Sequence, residues 1–325
     1  MGDVLSLAAD NLLSPLILFF VLGVLAAFAR SDLTIPEAAA KALSIYLLFA
    51  IGFKGGASVA AHGVDAGLIL SLIAGGILSA TIPFVAFGLL HIMTQLSTID
   101  AAAVAGHYGS ISIVTFVACT SALTGRGLDP EGYMVAVAAI MEAPAILSAL
   151  WLVSRKAGGN QMDGNLWREI LLNGSIVLLI GSFVIGAITG QDGLEKIASF
   201  IVSPFQGVLC LFLLDMGLVA GRGLRNSGKH LTPGVFAFGM LMPLVGSCFG
   251  LAAGMLLGLS TGGVALFMTL GASASYIAVP AAMRVALPEA NPSIYLTLSL
   301  GITFPFNLTL GIPTYIAIAS KVTGG

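Results

Sequence analysis

The chain has 325 residues, 58% of them hydrophobic and 9% charged, with a formal net charge of −2 and a mean hydropathy of +1.04. A soluble protein carries about 25% charged residues, and a globule of this size cannot bury so much apolar surface, so lipid must be the bulk solvent. The charge balance offers nothing to nucleic acid. The apolar runs are continuous rather than alternating, which favours an all-α integral membrane protein over a β-barrel.

Ten transmembrane spans are predicted, near 11–29, 41–61, 66–93, 101–124, 132–154, 168–190, 197–221, 232–258, 262–284 and 294–320. The connectors hold turn formers and most of the charge: Arg30-Ser31-Asp32, Gly125 to Pro130, Gln191-Asp192-Gly193 and Leu287 to Pro292. The longest polar stretch, Arg155 to Arg168, divides the spans five and five. The N-terminus lacks a basic segment ahead of its first apolar run, so no cleavable signal peptide is expected. Nine Lys and Arg residues fall on the side of the central stretch (Arg30, Lys41, Arg155, Lys156, Arg168, Arg222, Arg225, Lys229, Arg284) and four towards the other (Lys54, Arg126, Lys196, Lys321). This asymmetry predicts a cytoplasmic central loop and both termini outside. Cys119, Cys210 and Cys248 fall inside apolar segments without metal-binding spacing and read as small core residues.

Two spans are weakened at their centres. Gly106-His107-Tyr108-Gly109-Ser110-Ile111-Ser112-Ile113-Val114-Thr115 sets glycines and hydroxyls inside the fourth, and Gly271-Ala272-Ser273-Ala274-Ser275-Tyr276, followed by Pro280, does so in the ninth. Glycine lowers helix propensity by roughly 1 kcal/mol against alanine, and Ser and Thr compete for backbone partners. Ser112 and Ser273 are 161 apart, as are Pro144 and Pro305 and also Lys54 and Asp215; Pro83 and Pro243 are 160 apart. These offsets relate spans 2 to 7, 3 to 8, 4 to 9 and 5 to 10. They predict two inverted five-helix repeats, 1–156 and 168–325, joined by a short cytoplasmic linker at 157–167.

Paired breaks point to a transporter site. An opened helix offers N–H groups to an anion and C=O groups to a cation, and Ser110, Ser112, Thr115, Ser273 and Ser275 add hydroxyls. The competing reading is that small residues merely let helices pack closely. Glu142 lies mid-span before Ala143-Pro144, where a carboxylate is costly unless paired or hydrated. Its repeat partner is Thr303, with Asn307 nearby. Glu142 and Asn307 are candidate cation ligands or supports for the broken helices. Lys54 and Asp215 could form an ion pair between the halves, or reach an interface separately. His107 is expected to bond to a neighbouring helix rather than to substrate; His62, His91 and His230 sit near span ends. No enzyme or P-loop motif is present, so neither catalysis nor ATP-driven transport is expected.

The run Gly271 to Ser275 through Val279-Pro280, then Arg284, Pro288-Glu289-Ala290-Asn291-Pro292-Ser293 and Tyr295, resembles the bacterial sodium-dependent bicarbonate transporter family, best known from cyanobacteria. The first half agrees at Ile35 to Ala38, Ile51-Gly52-Phe53-Lys54-Gly55-Gly56, Gly106 to Thr115 and Glu142-Ala143-Pro144-Ala145. The resemblance implies crossed broken helices from spans 4 and 9, core and gate domains each built from both repeats, a homotrimer and elevator-type movement. It implies sodium-coupled uptake of bicarbonate across the inner (plasma) membrane, with no cofactor beyond sodium as coupling ion, and a cytoplasmic PII-like regulatory protein as partner. Carried over, the substrate site draws on Gly109, Ser110, Ser112, Thr115, Ser273 and Ser275, and the sodium site on Glu142, Thr303 and Asn307. The chain departs from the cyanobacterial pattern in two places. Tyr276 stands where those members often have an acid, which bears on ion stoichiometry. The central loop is short, which bears on the regulator. Other readings of the residues are a sodium symporter for another small anion such as a carboxylate, a channel with re-entrant segments, or a non-transporting membrane sensor.

Overall fold

A computed structural model describes residues 13–63, 65–157, 174–226, 232–276, 279–280, 283 and 287–324. Among them the chain is helical, without strands. In order the helices are α1 Pro15–Phe28, α2 Glu37–His62, α3 Ala66–Met93, α4 Thr98–Gly109, α5 Ile113–Thr124, α6 Met134–Ile140, α7 Glu142–Ala157, α8 Gly174–Ile201, α9 Phe205–Asn226, α10 Pro233–Leu256 and α11 Thr261–Ala272. The last, α12, runs over Pro292–Thr323.

Helix starts follow from local chemistry. The Ser14, Asp65, Ser97, Ser112, Thr232, Ser260 and Asn291 side chains each accept an N–H from the first turn of the helix they precede, which satisfies donors that have no intrahelical partner. Proline stands in the first turn of α1, α10 and α12, where its missing N–H costs nothing.

Eight stretches are long and apolar enough to cross a membrane, with α4–α5 and α6–α7 each counted as one; α1 and α11 are apolar but shorter. Among the described residues eight stretches thus have spanning length where ten spans were expected. The expected connector Gln191-Asp192-Gly193 is not a loop. Gly190 adopts φ 59°, ψ −150°, a conformation open to glycine, and α8 bends there and continues to Ile201. The polar stretch between the halves lies mostly outside the described residues, as does His230.

α1 packs along α9, and α2 along α8. Glycines bring these backbones together: a Cβ on Gly23 would lie 2.2 Å from the Leu214 carbonyl oxygen, and one on Gly56 1.9 Å from that of Phe183. Such small-residue contacts hold helices together in lipid, where apolar burial supplies no drive. Among the remaining helices α4 packs against α3 and α7, and α11 against α10 and α12, and the buried core draws on these and on all four helices of the two pairs. Of the cysteines only Cys119 is buried in this core; Cys210 is half-buried and Cys248 exposed, so the core assignment holds for one of three. Lys54 and Asp215 do not pair. The Lys54 ammonium instead lies 4.2 Å from the centroid of the Phe205 ring, and Asp215 is buried on α9.

Candidate functional site

The first weakened span is open from Ser110 to Ser112, between α4 and α5. Ser110 and Ser112 are extended, with ψ 168° and 109°. Gly109 is required by close approach: a Cβ there would fall 2.3 Å from the Pro83 ring and 2.8 Å from the Ser79 carbonyl oxygen. Ser112 Oγ accepts the Thr115 N–H (3.2 Å) and the Thr115 hydroxyl (2.9 Å). This cap aims the start of α5, with the N–H groups of Ile113 and Val114, into the gap.

The second break follows α11. Ser273 is extended, the chain stays non-helical through Tyr276, and Val279 and Pro280 are helical. Ser275 Oγ accepts the Val279 N–H at 3.4 Å.

The two breaks lie against each other. The Ser112 N–H donates to Ser273 Oγ at 3.1 Å, across 161 residues, and the Ser275 N–H donates to the His107 carbonyl at 2.8 Å. Ser110, Ser112, Thr115, Ser273 and Ser275 are all buried, so the fold gathers the five hydroxyls expected from the sequence, with Gly109, into one place. The C-terminal ends of α4 and α11 and the N-terminus of α5 meet there, so carbonyl and N–H ends of opened helices share one region.

The residues expected near the cation have different surroundings. Asn307 ties two neighbours: its Nδ2 donates to the Ala272 carbonyl (2.9 Å) and its Oδ1 accepts the Tyr315 hydroxyl (2.9 Å). Thr303 donates to the Gly239 carbonyl (2.7 Å) and so receives the Tyr108 hydroxyl proton (2.6 Å). Both sit where α12 loosens into π-helical turns, over Thr297–Thr303 and Asn307–Gly311, an irregularity often found at functional sites. Glu142 is buried at the start of α7, and its Oε2 has no partner among the described residues. Beside it the Ser79 hydroxyl donates to the Met141 carbonyl and accepts the Ala145 N–H (3.1 Å), standing in for the helical bond interrupted near Pro144.

His107 Nδ1 donates to Ala103 of its own helix (2.6 Å), and its ring stacks on Tyr295 at 4.4 Å. The expected bond to a neighbouring helix is therefore replaced by one within α4. One residue at the breaks was not among the expected ligands. Tyr276 is buried beside Ser112, its ring edge-on to Phe304 at 5.3 Å. Its hydroxyl and Ser110 Oγ have no hydrogen-bond partner among the described residues. The signals in the sequence were an aromatic residue following the second serine cluster and its place where the similar cyanobacterial proteins often have an acid.

A cavity of about 640 Å³ opens between α2, α5, α6 and α9, lined among others by Lys54, Phe116, Thr120, Asp129, Glu131 and Phe205. Phe116 is one helical turn from Ser112, a rise of about 6 Å, so the cavity comes close to the breaks.

No curated protein matches the chain in sequence. The sequence profile of the Na+-dependent bicarbonate transporter superfamily matches residues 15–320, a range that takes in both breaks and runs from the start of α1 into the last turn of α12. The chain belongs to the Na+-dependent bicarbonate transporter superfamily.

Proposed function

We propose that the protein is a secondary active transporter that carries bicarbonate inward with sodium. The reading rests on one observation: two broken spans tied to each other by Ser112 N–H to Ser273 Oγ, between residues at equivalent places of the two halves. Bicarbonate is held by the start of α5 and the serines. Sodium is held by the carbonyl ends of α4 and α11. Glu142 offers its unpartnered oxygen to the cation, while Thr303 and Asn307 serve it by fixing the framework around those carbonyls. A cation bound beside the anion raises its affinity, and linkage makes the effect mutual.

The repeat organisation belongs to the same reading. α1 pairs with α9 and α2 with α8; an offset of five spans exchanges these two pairs, as an inverted repeat requires. We take residues 1–156 and 168–325 as the two repeats, the α1–α9 and α2–α8 pairs as the gate domain and the other helices as the core. The elevator step is movement of this core along the gate, with the Lys54 cavity in the seam. The assembly is a homotrimer in the inner membrane with both termini outside.

The test is radiolabelled bicarbonate uptake into proteoliposomes with and without an inward sodium gradient. The wild type is expected to accumulate bicarbonate only with the gradient. The double variant Ser112→Ala, Ser273→Ala is expected to fall at least ~10-fold, since it leaves buried partners unpaired. No accumulation by folded wild type would discard bicarbonate, and competition by small carboxylates would then name the alternative anion.

A further inference from the structure

The hydroxyl oxygens at the breaks can be followed one by one. Apart from them, the buried His107 Nε2 also has no partner among the described residues. Ser112 Oγ accepts from both the Thr115 N–H and the Thr115 hydroxyl, which fills its two lone pairs. Ser273 Oγ accepts the Ser112 N–H and donates to the Leu270 carbonyl. Ser275 Oγ accepts the Val279 N–H. Thr115 spends its hydroxyl proton on Ser112. Four of the five hydroxyls expected to bind ligand are thus engaged in shaping the breaks.

Two hydroxyls are not. Ser110 is 0% exposed and Tyr276 8%, and neither Ser110 Oγ nor the Tyr276 hydroxyl has a partner among the described residues. The Ser112 hydroxyl lies beside Tyr276 and can turn only its own proton towards the phenol oxygen; with both Ser112 lone pairs taken by Thr115, the phenol proton itself has no acceptor there. A buried hydroxyl without a partner costs about 1–3 kcal/mol, and such groups in a native structure call for a ligand or water. The ring cannot simply turn away to solvent. It packs edge-on against Phe304, which in turn packs against Phe20 of α1 at 5.2 Å.

We infer that Tyr276 is a specificity-determining residue: its hydroxyl, with Ser110 Oγ, donates to an oxygen of the transported oxyanion. This rests on the transport reading above and assigns the anion-side donors within it. A phenol keeps its proton at physiological pH, so Tyr276 gives the anion a hydrogen bond without contributing a charge. A site built to donate to an oxygen rejects anions that lack a good acceptor far more strongly than a site selecting on size alone. The Tyr276 donor therefore favours carboxylate-like and carbonate-like anions over halides.

The experiment compares wild type, Tyr276→Phe and Ser110→Ala in sodium-driven bicarbonate uptake, with bicarbonate-induced thermal stabilisation of each purified protein as a second readout. Tyr276→Phe keeps the ring and its contact with Phe304. It is expected to raise the bicarbonate KM ~10–100-fold, to leave the maximum rate within about threefold, and to narrow the preference for bicarbonate over chloride in competition. A purely structural role would instead lower the maximum rate and the melting temperature together. Should Tyr276→Phe not fold, Ser110→Ala carries the same expectation with a smaller rise in KM. Unchanged KM and selectivity in the folded variants, with uptake still lost in the paired serine variant, would overturn this inference and leave the transport reading standing. If the wild type transports no bicarbonate, the thermal shift decides: stabilisation by bicarbonate that Tyr276→Phe abolishes supports the donor role, and equal or absent stabilisation overturns it.

Discussion

Thr98–Thr124 and Val177–Ile201 have the same mean hydropathy and opposite surroundings. The most apolar window of the first is 100% buried within the protein, that of the second 17%. Hydropathy reports only that both tolerate an apolar solvent; it does not say whether that solvent is protein or lipid. Side-chain size separates them. The first is built from Ala101 to Ala105, Gly106, Gly109 and serines, which let other helices approach from every side. The second presents Val177, Ile180, Val184, Ile185 and Ile188 outward, bulky residues that suit disordered chains as well as packed ones. In a membrane interior it is the smaller, more polar span that is central, the reverse of the rule in water.

The comparison is most sharply stressed at Gly186, on the buried face of the exposed helix. A Cβ there would lie 2.2 Å from the Phe53 carbonyl oxygen on α2. Gly186→Leu is expected to separate α8 from α2 and to give either no folded protein or a melting temperature in detergent lower by more than ~10 °C. A folded variant within ~3 °C of wild type would show that the α2–α8 contact does not hold the pair together.

On the buried side, Asn307→Ala removes both bonds of a side chain that ties the end of α11 to α12, and leaves the Ala272 carbonyl and the Tyr315 hydroxyl unpaired. The expected cost is about 2–4 kcal/mol, less than that of Gly186→Leu, with sodium-driven uptake impaired more than stability. Equal melting curves for variant and wild type would remove Asn307 from the framework of the second break.

What could be read before the structure follows the same division. The breaks were legible because Gly109, Ser110, Ser112, Ser273 and Ser275 violate the apolar rule at membrane depth, and a violation there has few explanations. The all-helical membrane class followed from composition. The turn expected at Gln191-Asp192-Gly193 was not what folds there: turn formers at the membrane surface serve equally for a bend, and Gly190 supplies one after which α8 resumes. For Asn307 the sequence left ligand and helix support open, and the bond to the Ala272 carbonyl fits the support; the roles of Thr303 and Tyr276 were not legible in the same sense. Each depends on what stands opposite across the core, and local spacing cannot tell a side chain that spends its hydrogen bonds on backbone from one that keeps them for a ligand. The same holds for His107, whose partner turned out to be four residues away.

The smallest effect is the most informative about what covers the exposed helix. Ile188 is 78% exposed on α8. If lipid covers it, Ile188→Ala exchanges one apolar surface for another in a solvent that is apolar both before and after, and the expected change is within about 0.5 kcal/mol with uptake unchanged. The measurement is melting in detergent and in reconstituted bilayer alongside wild type. A loss well above that range would mean that Ile188 is packed against protein rather than lipid. Chemical crosslinking would then ask whether a second copy of the chain supplies that surface, which would place α8 at the subunit contact of the proposed trimer and end its contrast with the buried span.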